Sequence, residues 1–219
     1  MVLNKRFANE SQNYLTFMLE VLKKEKEGET CAPMYMIFDA NHRRKYPVGP
    51  LMPGKFFPDF IVKLVHRSWF KQDFLTSANT IEELAKKTGI DPEGLQKTIN
   101  TVNQYSKEGK DLDFQRGDNE RDRFSGDPSF INPCLGPVDN PPFYAMRIDP
   151  GEFATCGGMA INKNGQVLDT RNEVIKGLYA TGNSSAALLT TYPGAGATIG
   201  PAMTYGYIAG KHLAGVNSG

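Results

Sequence analysis

The sequence lacks features that would each point to a particular class of protein. No stretch of its 219 residues approaches the roughly 20 consecutive apolar residues that span a bilayer. The 3 cysteines include no CxxC pair, so neither a disulfide framework nor a zinc site is expected. The formal net charge is +1, which gives no reason to expect attraction to nucleic acid or to anionic lipid.

The first residues, MVLNKRFANESQNY, also lack the apolar run that is typical of a secretory signal. Hydrophobic residues make up 40% of the chain and charged residues 22%, as in soluble globular proteins. We therefore expect a cytoplasmic protein without a metal site. Peripheral association with a membrane through an exposed apolar patch stays open.

Two helices with distinct start and stop signals are predicted between residues 80 and 109. Thr80 and Glu83 fit a capping box, and Gly89 ends the first helix. Asp91 and Pro92 supply the cap and the first position of the second helix. These helices are expected to serve as scaffold.

An earlier helix is predicted after a cap at Ser11 or Asn13, from apolar residues at helical spacing: Tyr14, Phe17, Met18, Val21 and Leu22. The run 33–39 is expected to form a buried strand, and the run 143–148 an alternating strand. The segment 41–58 is predicted to be a lid or binding loop, and its basic residues 43–45 a solvated loop face or a surface patch that docks a partner. The charged segment 107–127 is predicted to be an exposed loop. A hairpin is predicted over 159–168, with Asn164 and Gly165 at its turn.

Residues 177–210, GLYATGNSSAALLTTYPGAGATIGPAMTYGYIAG, are the most informative stretch of the chain. A short strand at 178–180 runs into a glycine-rich turn, and a helix of small residues follows, from Ala197 or Thr198 to His212. Backbone N–H groups at such a turn and helix start can bind a cofactor or an oxyanion. From these residues alone the ligand stays open.

Several motifs along the chain carry a resemblance to a known family. They are RFANES near the start, MIFD at 36–39, NPCLGP at 132–137, PFYAMRI at 142–148, GLYATGNSSAA and TYPGAGATIGPAMTYGY. With these motifs the chain resembles the C-terminal part of the 3-ketosteroid Δ1-dehydrogenases, FAD enzymes of the fumarate reductase and succinate dehydrogenase flavoprotein superfamily. Family members begin with a G-x-G-x-x-G turn that binds the ADP half of FAD, and this sequence contains no such fingerprint.

The resemblance implies a division of catalytic roles among three residues. Tyr192 O–H and the backbone N–H of Gly196 would hold the C3 carbonyl of the steroid, where enolate charge develops. Tyr14 would remove the C2 proton while a hydride passes from C1 to the flavin N5. The alternatives are that Tyr192 is an ordinary core tyrosine with a satisfied hydroxyl and that Tyr14 is a core residue of an amphipathic helix.

The resemblance also implies where FAD binds. The turn after the strand 178–180 would meet the ribityl and phosphate region, and the start of the final helix would lie beneath the isoalloxazine ring, with its partial positive charge stabilising the reduced flavin. A glycine turn near residue 157 would lie close to the flavin. The cofactor-binding residues are therefore expected to be Gly157, Gly182, Asn183, Ala197, Thr198 and Ile199.

Two further observations bear on the substrate. The segment 153–158 contains no histidine, whereas fumarate reductases have one at the start of the equivalent stretch. The segment 42–70 is rich in side chains that suit a flat apolar ligand, although the core of a helical domain would explain them equally well. These side chains are Tyr46, Leu51, Met52, Phe56, Phe57, Phe60 and Trp69.

Together these observations predict a fold of the α+β or α/β class in two parts. Residues 1–145 would form most of a substrate-binding cap domain, and residues 146–219 the C-terminal portion of a Rossmann-like FAD-binding domain. The expected function is FAD-dependent 3-ketosteroid Δ1-dehydrogenation with an external electron acceptor. A companion subunit carrying the G-x-G-x-x-G half, or the missing part of the same enzyme, would complete the site. The alternatives are another flavin enone or steroid reductase, an inactive remnant, and a non-catalytic binding subunit.

Overall fold

The structure is a computed structural model that describes residues 5–65, 69, 74–151, 154–155, 157–186, 188–189 and 194–215. The chain divides into two compact units. The first comprises Met1–Gln12 and Thr16–Pro150, and the second comprises Asn13–Leu15 and Gly151–Gly219. In the part of the chain that is described, every helix is too short or too polar to cross a membrane.

Helices and strands alternate along the described chain, which makes it a mixed α/β structure. The helices are α1 (Tyr14–Lys26), α2 (Ala40–Lys45), α3 (Asp59–Val65), α4 (Ile81–Thr88), α5 (Pro92–Glu108), α6 (Glu120–Arg123) and α7 (Ile199–Leu213). The strands are β1 (Met34–Phe38), β2 (Leu75–Ala78), β3 (Phe143–Ile148), β4 (Gln166–Leu168) and β5 (Val174–Tyr179).

The first unit is built on an antiparallel sheet in the order β1-β3-β2, so the predicted strands at 33–39 and 143–148 are confirmed. The predicted alternation of β3 is wrong, because four consecutive residues from Phe143 to Met146 are buried. Phe143 and Ala145 face a core formed with α4 and α5, whereas Tyr144 and Met146 belong to a second core with Phe38. A central strand covered on both faces has no polar side.

The helices α4 and α5 form with the caps that the sequence predicts. The Thr80 side chain accepts a hydrogen bond from the N–H of Glu83 at 3.1 Å, and Asp91 accepts one from the N–H of Gly94 at 2.7 Å. Gly89 ends α4 in the left-handed conformation that favours glycine. The same buried face of α4, including Leu84, packs against β3.

Two segments that the sequence predicts to be loops contain helices and buried charges. Within 41–58, α2 begins immediately after β1 because Asp39 caps it, accepting from the N–H of His42 at 2.9 Å. Arg43, predicted to lie on a solvated face, is 3% exposed and donates to the Asp59 carboxylate and to the carbonyls of Met52 and Phe57. A guanidinium can be buried when its donors find acceptors, and here two acceptors lie in the loop after α2 and the third, Asp59, is the first residue of α3.

In the segment 107–127, Asp111 and Asp122 are buried, and α6 forms after a cap at Asn119. Charge density alone predicts solvent exposure for this segment. Most of the segment is exposed as predicted, but the prediction is wrong for Asp111 and Asp122, which are satisfied by hydrogen bonds from groups elsewhere in the chain.

The second unit contains an antiparallel pair of strands, β4 and β5, and the helix α7. The predicted turn at Asn164 and Gly165 is confirmed: the N–H of Gly165 donates to the Asn162 carbonyl at 3.0 Å, and Ile161 bridges Val167 across it. Gly165 has φ of 79° and lies against α7, where a Cβ would approach the Cβ of Ala209 to 3.2 Å. The predicted final helix is also confirmed, beginning at Ile199.

Candidate active site

The glycine-rich turn after β5 is tied directly to α7. The Thr181 hydroxyl donates to the carbonyl of Ala202 at 2.9 Å, and Gly182 has φ of 61°. A Cβ at Gly182 would lie 3.2 Å from the Cβ of Ala202, so a larger residue would both strain the backbone and crowd the helix. Asn183 follows in a short 3₁₀ turn (Gly182–Ser184). The turn and the helix therefore form one connected structure within this unit.

A second chain segment lies beside this turn. Met159 pairs in parallel with Ser185, the N–H of Met159 donates to the Ser184 carbonyl at 3.1 Å, and the N–H of Ala186 donates to the Met159 carbonyl at 2.8 Å. A Cβ at Gly158 would overlap the Ser184 carbonyl, so this approach requires glycine. Gly157 precedes Met159 by two residues, and Met159 is paired with Ser185 at the end of the glycine turn.

The start of α7 provides backbone donors. The carbonyl of Gly196 accepts from the N–H of Gly200 at 2.8 Å, and the N–H of Ala197 donates to Gly194 at 3.2 Å. No described residue accepts from the N–H of Gly196, and the Thr198 side chain makes no capping hydrogen bond. Such N–H groups at a helix start carry partial positive charge and favour an anionic or carbonyl acceptor.

Nothing in the described chain lies within 4 Å of the position of a Cβ at Gly196, whose φ is 89°. A ligand oxygen can therefore approach this backbone without meeting a side chain. Tyr192, the predicted partner of Gly196, lies outside the described residues, so its role stays a prediction.

Tyr14 is the first residue of α1 and belongs to the second unit, together with residues 151–219. Its side chain is 60% exposed, so the alternative that Tyr14 is a core residue of this helix does not fit the structure. The helix contributes Val21 to the core instead. The role of Tyr14 as a base stays a prediction.

The apolar side chains of 42–70 differ in burial. Leu51 is buried, and Phe57 and Trp69 pack against the same core. Met52, Phe56 and Phe60 are exposed. The core interpretation is therefore confirmed for Leu51, Phe57 and Trp69, whereas the binding of a flat apolar ligand by the exposed side chains stays a prediction.

Tyr46 of this segment donates its hydroxyl proton to Asp127. Burial and this hydrogen bond raise the pKa of Tyr46 to about 12, which makes it a poor base at neutral pH.

The sequence interpretation missed the residues that hold the glycine turn in place. The Ser185 hydroxyl is buried and donates to the Gly182 carbonyl at 2.8 Å, and Thr181 binds α7 as described above. The signal was present as hydroxyl residues flanking the glycine in TGNSS, since such side chains commonly bond to nearby backbone groups. Among the described residues, no cluster of His, Cys, Asp and Glu could hold a metal ion.

The family is shown by comparison with known proteins. The family model of the FAD binding domain matches residues 4–199. The chain belongs to this family, so its cofactor is FAD, and the glycine turn and open helix start of the second unit are features that suit a phosphate-bearing flavin cofactor.

Within this family the chain is similar to steroid dehydrogenases. It is 41% identical over 196 residues to 3-oxosteroid 1-dehydrogenase of Comamonas testosteroni, covering 89% of this chain and 33% of that protein. It matches the crystal structure of 3-ketosteroid Δ1-dehydrogenase from Sterolibacterium denitrificans in complex with 1,4-androstadiene-3,17-dione, with a TM-score of 0.84 and 41% identity over 98% of this chain and 38% of that one.

The chain is also similar to 4-oxocyclohexanecarboxylate 2-dehydrogenase of Sinomonas cyclohexanicum, whose name gives a cyclic ketone smaller than a steroid. It is 37% identical over 98% of this chain and 36% of its own length. The chain thus spans about a third of the length of these relatives.

Proposed function

We propose that the chain is the C-terminal half, or one subunit, of a flavin-dependent 3-ketosteroid Δ1-dehydrogenase. The observation that carries the proposal is the start of α7, where no described residue accepts from the N–H of Gly196 and, chain neighbours apart, none lies within 4 Å of the position that a Cβ there would take. The similarity to steroid dehydrogenases over nearly the whole chain supports the substrate class. FAD, when bound, supplies the acceptor for the C1 hydride.

In this proposal the residues of the chain polarise the ketone and remove a proton. Tyr192 O–H and Gly196 N–H donate hydrogen bonds to the C3 oxygen, which gains negative charge as the enolate forms. Polarisation makes the C2 proton more acidic, and Tyr14 accepts it as a phenolate, after its own hydroxyl proton has passed to a neighbouring hydroxyl. The Tyr14 side chain is 60% exposed, which is compatible with contact to a substrate.

The chain would hold FAD through backbone groups of the second unit. Gly182 and Asn183 would contact the ribityl and phosphate region, with Gly157 nearby. The helix start, formed by Ala197, Thr198 and Ile199, would stabilise negative charge on the reduced ring. The Rossmann-like assignment of residues 146–219 and the cap assignment of residues 1–145 are part of this proposal.

A further polypeptide would complete the second unit. Every residue of β5 except Tyr179 is exposed, and α7 buries only Ala209 among its described residues. An antiparallel pair of strands with an uncovered apolar surface is marginally stable by itself. The exposed apolar side chains of this unit include Val174, Ile175, Leu178, Ile199, Met203 and Tyr207. The covering polypeptide would be either a companion subunit with the G-x-G-x-x-G half or the rest of the same chain.

The experiment that tests the function uses the chain reconstituted with such a polypeptide. Turnover of 4-androstenedione is measured with an artificial electron acceptor, and the reverse reaction with reduced viologen. We expect Tyr192→Phe to lower dehydrogenation by about 10²-fold or more, because one donor to the developing enolate is lost. Tyr35→Phe, in β1, is the control.

Unchanged turnover in Tyr192→Phe would remove this residue from the mechanism. Faster reduction than oxidation would favour the enone reductase alternative, and the absence of turnover in an FAD-loaded complex would favour a non-catalytic subunit or a remnant.

A smaller cyclic ketone is a second candidate substrate, favoured by the 37% identity to the 4-oxocyclohexanecarboxylate enzyme. A kcat/KM for 4-oxocyclohexanecarboxylate above that for 4-androstenedione would replace the steroid as the proposed substrate.

Peripheral contact with a membrane is proposed from three exposed side chains in and before α3: Phe56, Phe60 and Leu64. We expect the chain to float with phospholipid vesicles in a density gradient. A Phe60→Glu variant that floats equally well would contradict the proposal.

A further inference from the structure

The residues that precede Tyr14 are held in place by a cluster of buried charges. We name Arg6–Gln12 the anchor segment. The Arg6 guanidinium binds both oxygens of Asp111, at 2.9 and 2.7 Å, and both oxygens of Glu10, at 2.7 and 2.8 Å. The Asp111 side chain is fully buried, and three backbone N–H groups of residues 113–116 also donate to it. Although burial acts to raise the pKa of Asp111, the hydrogen bond and charge of Arg6 hold it below its ordinary value.

A second set of hydrogen bonds fixes the end of the anchor segment. Asn9 is buried, its amide donates to Asp122 at 2.8 Å, and its oxygen accepts from the N–H of Ser11 at 2.9 Å. The Ser11 hydroxyl accepts from Arg116 at 2.9 Å, and the Ser11 carbonyl accepts from Arg121 at 3.0 Å. The chain therefore leaves the anchor segment from a defined point, two residues before α1 begins.

The body of α1 packs on a small core and on Phe7 of the anchor segment. Val21 is completely buried beside Cys31 and Met34. The rings of Phe17 and Phe7 pack at a centroid distance of 5.7 Å. Tyr14 thus lies between a hydrogen-bonded segment on one side and a packed helix on the other, while its own side chain is 60% exposed.

We propose that Asn9 and Arg6 are positioning residues, which fix the first turn of α1 and through it the location of the Tyr14 hydroxyl. The inference rests on the proposed function, in which Tyr14 accepts the C2 proton. A general base must lie within hydrogen-bonding reach of its proton, and a displacement of about 1 Å can cost about 10²-fold in rate.

The test compares Asn9→Ala with Thr80→Ala. The control removes the cap of α4 in the same unit and makes no contact with the anchor segment. Hydrogen exchange is measured on both variants, each at the temperature at which the two have the same free energy of unfolding. We expect amides of residues 17–20, the first in α1 with an acceptor inside the helix, to exchange about 10-fold faster in Asn9→Ala than in Thr80→Ala. Equal exchange in the two variants would overturn the proposal.

In the reconstituted enzyme, we expect Asn9→Ala to lower kcat by about 10-fold or more, with KM and the apparent pKa of the kcat profile unchanged. Arg6→Lys keeps the charge but loses the bidentate geometry, so we expect the same decrease in kcat. This variant replaces Asn9→Ala in the test if Asn9→Ala does not fold. A kcat equal to that of Thr80→Ala in both variants would overturn the positioning role.

Tyr14→Phe separates this inference from the proposed function. If Tyr14→Phe leaves turnover unchanged, the assignment of Tyr14 as base fails and with it the positioning role. If Tyr14→Phe abolishes turnover while the anchor variants match the control, the proposed base stands and only the positioning role fails.

Discussion

At the scale of single residues, the surroundings of the tyrosine hydroxyls separate structural tyrosines from a candidate base. Tyr144 donates to Asp59 at 2.5 Å, and Tyr46 donates to Asp127. Burial and these hydrogen bonds to carboxylates raise the pKa of both tyrosines, so neither can accept a proton at neutral pH. Tyr14 differs from them in burial, since its side chain is 60% exposed at the start of a helix. Its role as a base stays a proposal.

The contact between Tyr46 and Asp127 makes stability depend on pH in acid. Hydrogen bonds from Tyr46 and Ser129 lower the pKa of Asp127 to about 2, from an ordinary value of 3.8. A carboxylate with a lowered pKa in the folded state stabilises the fold above its unfolded pKa, and this stabilisation is lost as the pH falls through the folded pKa. We expect the free energy of unfolding to fall between about pH 4 and pH 2.

Asp127→Asn should remove part of this pH dependence, as measured by urea denaturation at a series of pH values. Asp118→Asn, at an exposed position nearby in sequence, is the control. Equal slopes for Asp127→Asn and the unsubstituted chain would show that the contact does not contribute.

At the scale of elements, caps and periodicity were sufficient wherever the signal was local. The helices α4 and α5 begin at Thr80 and Asp91 because each side chain binds an N–H only three residues away. The turn at Asn164 and Gly165 is local in the same sense. These interactions lie within a few residues, so a sequence pattern contains all of their participants.

Elements that depend on distant partners were not predicted. The helix α2 was missed because Asp39 was interpreted as the end of a strand, whereas its carboxylate both caps α2 and accepts from the N–H of Asn140, about 100 residues away. The predicted alternation of buried and exposed residues in β3 is wrong because α4 and α5 cover one face of the strand and the core around Phe38 covers the other. Neither partner can be assigned from the strand's own sequence.

At the scale of the whole molecule, the first unit has well-formed cores whereas the second leaves much of its apolar surface exposed. Hydrophobic surface of this extent is normally buried against another element. Because the chain spans about a third of the length of its relatives, the covering element is expected in the part of those proteins that this chain does not match.

This difference predicts the behaviour of the isolated chain. We expect it to bind FAD at much less than one equivalent, and to copurify with a polypeptide carrying the G-x-G-x-x-G half when both are produced together. In the complex, amides of β5 should become protected from hydrogen exchange, whereas amides of α5 should change little. A monomeric, well-folded chain that binds one equivalent of FAD alone would contradict the expectation.

The sequence by itself determined the family, the local caps and turns, and the glycine-rich stretch on which the candidate site is built. Each of these depends on residues that are neighbours in the chain. The tertiary structure decided which charges are buried and what holds the segment before Tyr14. Arg6 and Asp111 are 105 positions apart, and their contact exists only once the intervening chain has folded. A buried ion pair is visible only where both partners and their hydrogen bonds are known, since either charge alone predicts exposure to solvent.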